Sequence, residues 1–293
     1  MHSSAADIAH ALGGKKNERG WLVKCPAHDD QNPSLSITDG KSGKLLVKCW
    51  AGCDARDVLR ALRKQGMLAN KETTYGKKYP AKEKNRDPGQ DAARIEVALG
   101  IWREAQPVAG TYAEMYLRGR GITVPPPPSL RYHPALKHCE GECWPCMVAL
   151  VQRVDRQPIG IHRTFIAQDG ARKAPVSPDK MMLGPCRGGA VRFAPASEIL
   201  MVGEGIETCL TVMQATGLPT WVALSTSGLR ALDLPAIVRE ITVLADNDDP
   251  GEQAAKTAAL RWTREGRSVR IARSPRGKDF NDMLRSHVAG DAV

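Results

Sequence analysis

The sequence predicts a mixed α/β protein, α+β overall. A small antiparallel β module and a basic tether precede a larger region that ends in a mostly parallel sheet. Three observations lead there. Short alternating apolar stretches punctuated by glycine run up to Gly66. Periodicity then fails over a lysine-rich stretch. After Ser197, strand-like and helix-like patterns follow one another, the order of a parallel sheet with helices on its faces.

In the first segment, residues 1–66, positions 5–12 carry a helical pattern that stops at Gly13-Gly14. Residues 21–23, 34–37 and 45–47 alternate as short strands, separated by Asp39-Gly40 and Ser42-Gly43. Asp54 stands where an N-cap would start a helix to Gln65, with Val58, Leu59 and Leu62 on one face. Residues 67–91 mix Lys71, Lys77, Lys78, Lys82, Lys84 and Arg86 with Gly76, Pro80, Pro88 and Gly89, which is the composition of a flexible basic linker. Residues 92–195 open with helical patterns over 95–102 and 111–118. Four prolines, 125–128, then stiffen a connection before strands at 147–151 and 158–165. In residues 196–293 strands are expected at 199–202, 221–224, 241–244 and 269–272, with helices over 206–215 and 251–264.

Hydrophobic residues make up 42% and charged residues 25% of 293, which is ordinary for a folded chain and excludes wholesale disorder, a collagen-like fibre or a coiled-coil rod. No run approaches eighteen apolar residues, so a membrane span is not expected. The N-terminus lacks a cationic start followed by an apolar core, so the expected location is cytoplasmic. A formal net charge of +10 points to a polyanionic partner. In that compartment the eight cysteines are expected to bind metal or to be buried, not to form disulfides.

Cys25-Pro26-Ala27-His28 and Cys49-Trp50-Ala51-Gly52-Cys53 form two ligand pairs at the ends of short hairpins. Four soft or borderline ligands of this kind suit tetrahedral zinc, one ion per chain. So small a module buries little apolar surface, and the metal is expected to carry much of its stability. A second cluster, His138, Cys139, Cys143 and Cys146, lies within nine residues and has no second hairpin. Reduced structural cysteines explain it better than a second metal.

A hard-metal site is expected at strand ends. The strand at 199–202 runs into Gly203-Glu204-Gly205, and that at 241–244 into Asp246-Asn247-Asp248-Asp249. Open α/β sheets bind ligands beyond the carboxyl ends of their strands. Glu204, Asp246 and Asp248 gathered there would repel one another without Mg²⁺ or Mn²⁺, which takes oxygen ligands and bridges to substrate phosphates. Asp249 before Pro250 reads as a helix cap. In Gly277-Lys278-Asp279-Phe280-Asn281-Asp282, Lys278 can meet a phosphate. Asp279 or Asp282 either adds to the metal shell or caps a helix. Between residues 158 and 192, His162-Arg163, Arg172-Lys173, Lys180 and Arg187 form a basic group suited to nucleotide and nucleic-acid phosphates.

Taken in order, these motifs resemble a bacterial DnaG-type primase, in the compact form carried by phages, plasmids and integrating elements. Cys25 to Asp30, Pro33-Ser34-Leu35, Cys49 and Cys53 are similar to the primase zinc ribbon, although the second pair is one residue longer than the commoner spacing. Gly203 to Thr208, Asp246-Asn247-Asp248 and Lys278 to Asp282 are similar to the three Toprim motifs. Ile161-His162-Arg163-Thr164 and Lys173-Ala174-Pro175 are similar to the basic motifs of the catalytic core. The resemblance implies a zinc-ribbon domain, a catalytic core and a Toprim domain that together make RNA primers on single-stranded DNA from ribonucleoside triphosphates. It assigns Glu204 as metal ligand or general base near the attacking 3′-hydroxyl. Asp246 and Asp248 would hold divalent ions, Arg163 and Lys173 would bind template or nucleotide, and the zinc module would grip the template. The chain ends soon after these motifs and has no Gly-rich loop of the kind that ends in Gly-Lys-Ser/Thr, so a separate replicative helicase is expected as partner. Two alternatives stand beside this: a Toprim nuclease or topoisomerase-like enzyme, and a non-catalytic single-stranded DNA-binding accessory protein.

Overall fold

Ser4 starts the first helix, α1 (Ala5–Ala11), with a capping box: its hydroxyl accepts from the Asp7 amide, and the Asp7 carboxylate accepts from the Ser4 amide. In the computed structural model residues 4–17, 20–28, 30, 32–40, 45–51, 53–68 and 88–290 are described. They belong to two compact units, residues 1–82 with 248–250, and residues 83–247 with 251–293. Most of the expected linker, 69–87, lies outside the described residues.

In the first unit β1 (Lys15–Asn17), β2 (Gly20–Val23), β3 (Leu35–Asp39) and β4 (Leu45–Cys49) form an antiparallel sheet in chain order, followed by α2 (Ala55–Lys64). Alternation sets the faces: Leu35 and Ile37 are fully buried, and Ser36 and Thr38, which alternate with them, are not. They pack with Ile8, Val23, Val58 and Leu62 around Cys25 and Cys49. Strand β1, too polar to show periodicity, was not expected; its pairing to β2 supplies what its composition does not.

The second unit begins with α3 (Pro88–Glu104). Proline opens it, since the first helical turn has no amide bond to lose. The helix therefore takes in the last residues of the segment expected as linker. Next come β5 (Gln106–Pro107), α4 (Tyr112–Arg118, capped by Thr111), β6 (Leu130–Lys137), β7 (Cys143–Gln152), β8 (Pro158–Phe165) and β9 (Lys180–Leu183). The five strands make an antiparallel sheet in chain order. After them come β10 (Val191–Arg192), β11 (Ile199–Gly203), α5 (Ile206–Thr216), β12 (Thr220–Val222), α6 (Thr226–Ala231), β13 (Glu240–Ala245), α7 (Asp249–Arg264), β14 (Ser268–Arg273) and α8 (Phe280–Gly290). Their sheet runs β10-β12-β11-β13-β14, parallel except for the edge strand β10.

One core joins the two sheets. Tyr116, Met147, Ile159 and Ile166 pack in the same cluster as Ile206, Leu210, Val222 and Leu244. Residues 92–195 and 196–293 thus share buried surface, and β10, from the first stretch, completes the second sheet. No described helix is long and apolar enough to cross a membrane.

Candidate functional site

Cys25 and His28 follow β2, Cys49 ends β4, and Cys53 precedes α2. Their ligand atoms all lie within 4.8 Å of one another. His28 Nδ1 is 3.2 Å from Cys53 Sγ and 4.0 Å from Cys49 Sγ. Tetrahedral zinc, with bonds of about 2.0–2.3 Å, would hold such atoms about 3.3–3.8 Å apart, so the donor set and spacing fit it. Without a cation the thiols compete. Hydrogen bonds from Cys25 and Cys53 hold Cys49 as the thiolate, Cys25 is pushed up to about 11 by its bond to Cys49, and Cys53 is pushed up chiefly by Cys25. A soft dication lets all three ionise together.

The carboxylates sit at a topological switch point. The chain leaves β11 through α5 toward β12 on one side, and leaves the neighbouring β13 through α7 toward β14 on the other. Gly203 is in register with Leu244, which brings Glu204 and Asp246 to the same carboxyl edge. Beneath them the buried Cys209 thiol is pushed up by desolvation, then by Asp246, Glu207 and Glu204. A Cβ on Gly203 would stand 2.8 Å from Cys209 Sγ, so glycine is required where this strand ends. Oxygen donors here suit a hard divalent ion. Among the described residues the group of three or more His, Cys, Asp or Glu gathered for a metal ion is the Cys/His set.

The third motif lies beside the second because Asn247 ties them. Its side-chain amide donates to Ser274 O at 2.8 Å and to Gly277 O at 3.0 Å, and its backbone amide donates to Lys278 O at 2.8 Å. Asp279 Oδ1 accepts from the amides of Asn281 and Asp282, and Asp282 Oδ2 accepts from the Lys278 amide. Both carboxylates thus take the helix-capping option at the start of α8. Asn281 is fully buried, joined to Arg120 and Thr211.

Of the basic residues, the structure brings Lys173 and Lys180 together and separates Arg163. Lys180 Nζ is 3.0 Å from Glu207 Oε2, and Lys173 Nζ is 3.0 Å from Asp179. Lys173 is lowered by desolvation and then by Lys180. Arg163 projects from the opposite face of β8, where burial lowers it, opposed chiefly by Cys146. His162 faces the lysines. Desolvation, then Lys180, takes it down to about 3, so it is neutral at physiological pH.

The second cysteine cluster is not assembled for metal. His138 is buried edge-on to Phe165, with Nε2 donating to Pro178 O at 3.1 Å and Nδ1 accepting from the Glu140 amide at 3.2 Å. Both ring nitrogens are engaged. Cys146 is fully buried, and burial pushes its thiol up, while Cys139 and Cys143 are exposed.

Sequence reasoning placed Asp30 and Glu207 inside motifs without giving them a role, and gave Tyr116 none in this site. Tyr116 and Lys180, the partners of Glu207, lie in other elements, whereas Asp30 bonds within its own loop, to Cys25 and Ser34.

Comparison with known families gives a match to the Toprim domain over residues 199–290. Residues 199–290 form a Toprim domain. The preceding stretch, 92–193, matches a domain of unknown function, DUF7146. No curated protein matches the chain. Among solved structures the chain is similar to the Aquifex aeolicus primase zinc-binding and RNA polymerase domains, at 16% identity over 98% of this chain and 82% of that one, with a TM-score of 0.47. It is similar to the primase fragment of the bacteriophage T7 primase-helicase protein, at 17% identity over 64% and 69%, TM-score 0.39. The E. coli primase catalytic core shows 16% identity over 68% and 74%, TM-score 0.39. In this chain the carboxylates Glu204 and Asp246 mark the strand ends of the Toprim sheet, and Glu207 is bonded to Tyr116 of the shared core.

Proposed function

We propose that the protein is a DNA primase, a DNA-dependent RNA polymerase making short primers on single-stranded DNA for a phage, plasmid or mobile element. The observation that carries this reading is the exit of Glu204 and Asp246 from adjacent parallel strands at the switch point of the Toprim domain. Lys180 on the neighbouring sheet, Lys173 on the stretch that leads to it, and a Cys/His zinc module support it. Glu204, Asp246 and Asp248 would hold Mg²⁺ or Mn²⁺. Such an ion, when bound, activates the attacking hydroxyl and neutralises the pyrophosphate leaving group. Glu204 takes the proton of the primer 3′-hydroxyl. Lys173 and Lys180 hold the triphosphate of the incoming ribonucleotide in line. Arg163 and the zinc module contact the template.

Primer synthesis on random single-stranded templates, with ribonucleotides and Mg²⁺ or Mn²⁺, tests the reading. Asp246→Ala with Asp248→Ala is expected to abolish synthesis at an unchanged melting temperature; full activity in that double variant overturns the site. Nicking of supercoiled plasmid without nucleotides would favour a nuclease or topoisomerase instead. For strand passage a tyrosine nucleophile is needed; Tyr116 and Tyr132 are 1% and 5% exposed, whereas Tyr112 is 41% exposed, so the nicking assay decides. Tight DNA binding without synthesis under either metal would indicate an accessory protein.

A further inference from the structure

Glu207, in the first turn of α5, is 5% exposed. A carboxylate buried this far is tolerated only when its oxygens are met by donors. Both are met from outside the Toprim domain. Tyr116 of α4 donates to Oε1 at 2.7 Å, and Lys180 of β9 donates to Oε2 at 3.0 Å. The attraction of Lys180 and then Lys173 outweighs burial and holds the Glu207 carboxyl well below the usual range, so it is charged at every working pH. Its oxygens are turned into the protein and away from solvent, unlike those of a residue that must receive a metal ion from solution.

The lysine differs. Its side chain is 32% exposed, against 7% for the glutamate, and one of its three N–H bonds reaches Glu207. Lys173, 27% exposed, is steadied in the same way by Asp179. A lysine is a point charge on a flexible four-carbon stem. Anchoring it from behind removes the rotamer entropy that a ligand would otherwise have to offset.

We propose that Glu207 is a positioning residue for a nucleotide site. Lys180, anchored on its Oε2 and steadied through Tyr116 on its Oε1, meets the phosphates of a nucleoside triphosphate together with Lys173. The proposal rests on the nucleotide-polymerising reading above and assigns Glu207 no metal.

The test measures binding of ATP with Mg²⁺ to the full chain by equilibrium dialysis, over a Mg²⁺ titration. Glu207→Gln is expected to raise Kd about tenfold with the Mg²⁺ midpoint unchanged. Lys180→Met should weaken binding as much, and the double variant no further. Tyr116→Phe removes one hydrogen bond and no charge, and is expected to raise Kd about threefold; it keeps the test open if Glu207→Gln fails to fold. A shifted Mg²⁺ midpoint in Glu207→Gln, losses that multiply in the double variant, an unchanged Kd, or a wild-type protein that binds no ATP each overturns the proposal. Wild-type protein that shows the expected binding pattern but makes no primers supports the role of Glu207 and removes the polymerase reading.

Discussion

His28 Nε2 lies 3.4 Å from Asp30 Oδ1, on the side of the ring remote from the Nδ1 that faces the thiols. The same aspartate accepts from the Cys25 amide at 2.6 Å, and from the Ser34 amide and hydroxyl at 3.1 and 2.6 Å. One carboxylate thereby fixes a ligand ring and a ligand's backbone, the usual task of an outer partner in a zinc site. Asp30→Ala is expected to weaken zinc about 10–100-fold. Competition against a chromophoric chelator measures it; wild-type affinity in the variant would remove Asp30 from the site.

Zinc removal should act on one unit. The first unit packs few large side chains, among them Ile8, Leu35, Ile37 and Leu62, whereas the second has two extensive buried clusters joining its sheets and helices. A chelator is therefore expected to unfold residues 4–68 and leave 88–290 folded. Limited proteolysis with circular dichroism reads this, and one concerted loss of all structure would contradict it.

Gly203→Ala brings a methyl against Cys209 Sγ at the strand end that carries Glu204. Overpacking there is expected to destabilise by about 1–3 kcal/mol and to reduce the proposed primer synthesis. Adding Cys209→Ala, which vacates the space, should restore much of both. Failure of that rescue in thermal melts would mean that the clash with the Leu244 side chain, 3.2 Å away, dominates.

Acid should weaken the fold through His162. Its pKa is about 3 when folded, because burial and Lys180 oppose the charge, against 6.5 in an open chain. The unfolded state takes the proton first, so stability falls as pH drops from 6.5 toward 3, at about 1.4 kcal/mol per unit once the histidine is charged in the unfolded chain. Glu207, lowered from 4.5, adds a loss of the same sign below that value. Urea melts between pH 7 and 4 should show a flatter profile for His162→Gln. Equal slopes in both proteins would show that another group carries the effect.

Several elements were legible because their signals are local. Ser36 and Thr38 alternate with buried Leu35 and Ile37, and Asp246 ends a run of five apolar-leaning residues. By contrast β1 has no periodic signal, since both faces of Lys15–Asn17 are polar, and pairing alone makes it a strand. Asp279 and Asp282 bear the residue types of a metal shell, but the amides at the start of α8 claim them. For His138, the spacing to Cys139 suggests a ligand, whereas burial against Phe165 and Pro178 uses its nitrogens otherwise.

By itself the sequence determined the Cys/His ligand pairs, the four strands and two longer helices of the Toprim region, though not α6 or α8, and the acidic residues that end two of those strands. All of these depend on neighbours within a few residues along the chain. Only the tertiary structure decided that Glu207 is held by Lys180, 27 residues away, and by Tyr116, 91 residues away, and that Arg163 faces the other side of its strand from Lys173. The physical reason is burial. A charge removed from water must find its partner in whatever element packs against it, and that choice belongs to the shared core of two sheets, not to any period within the chain.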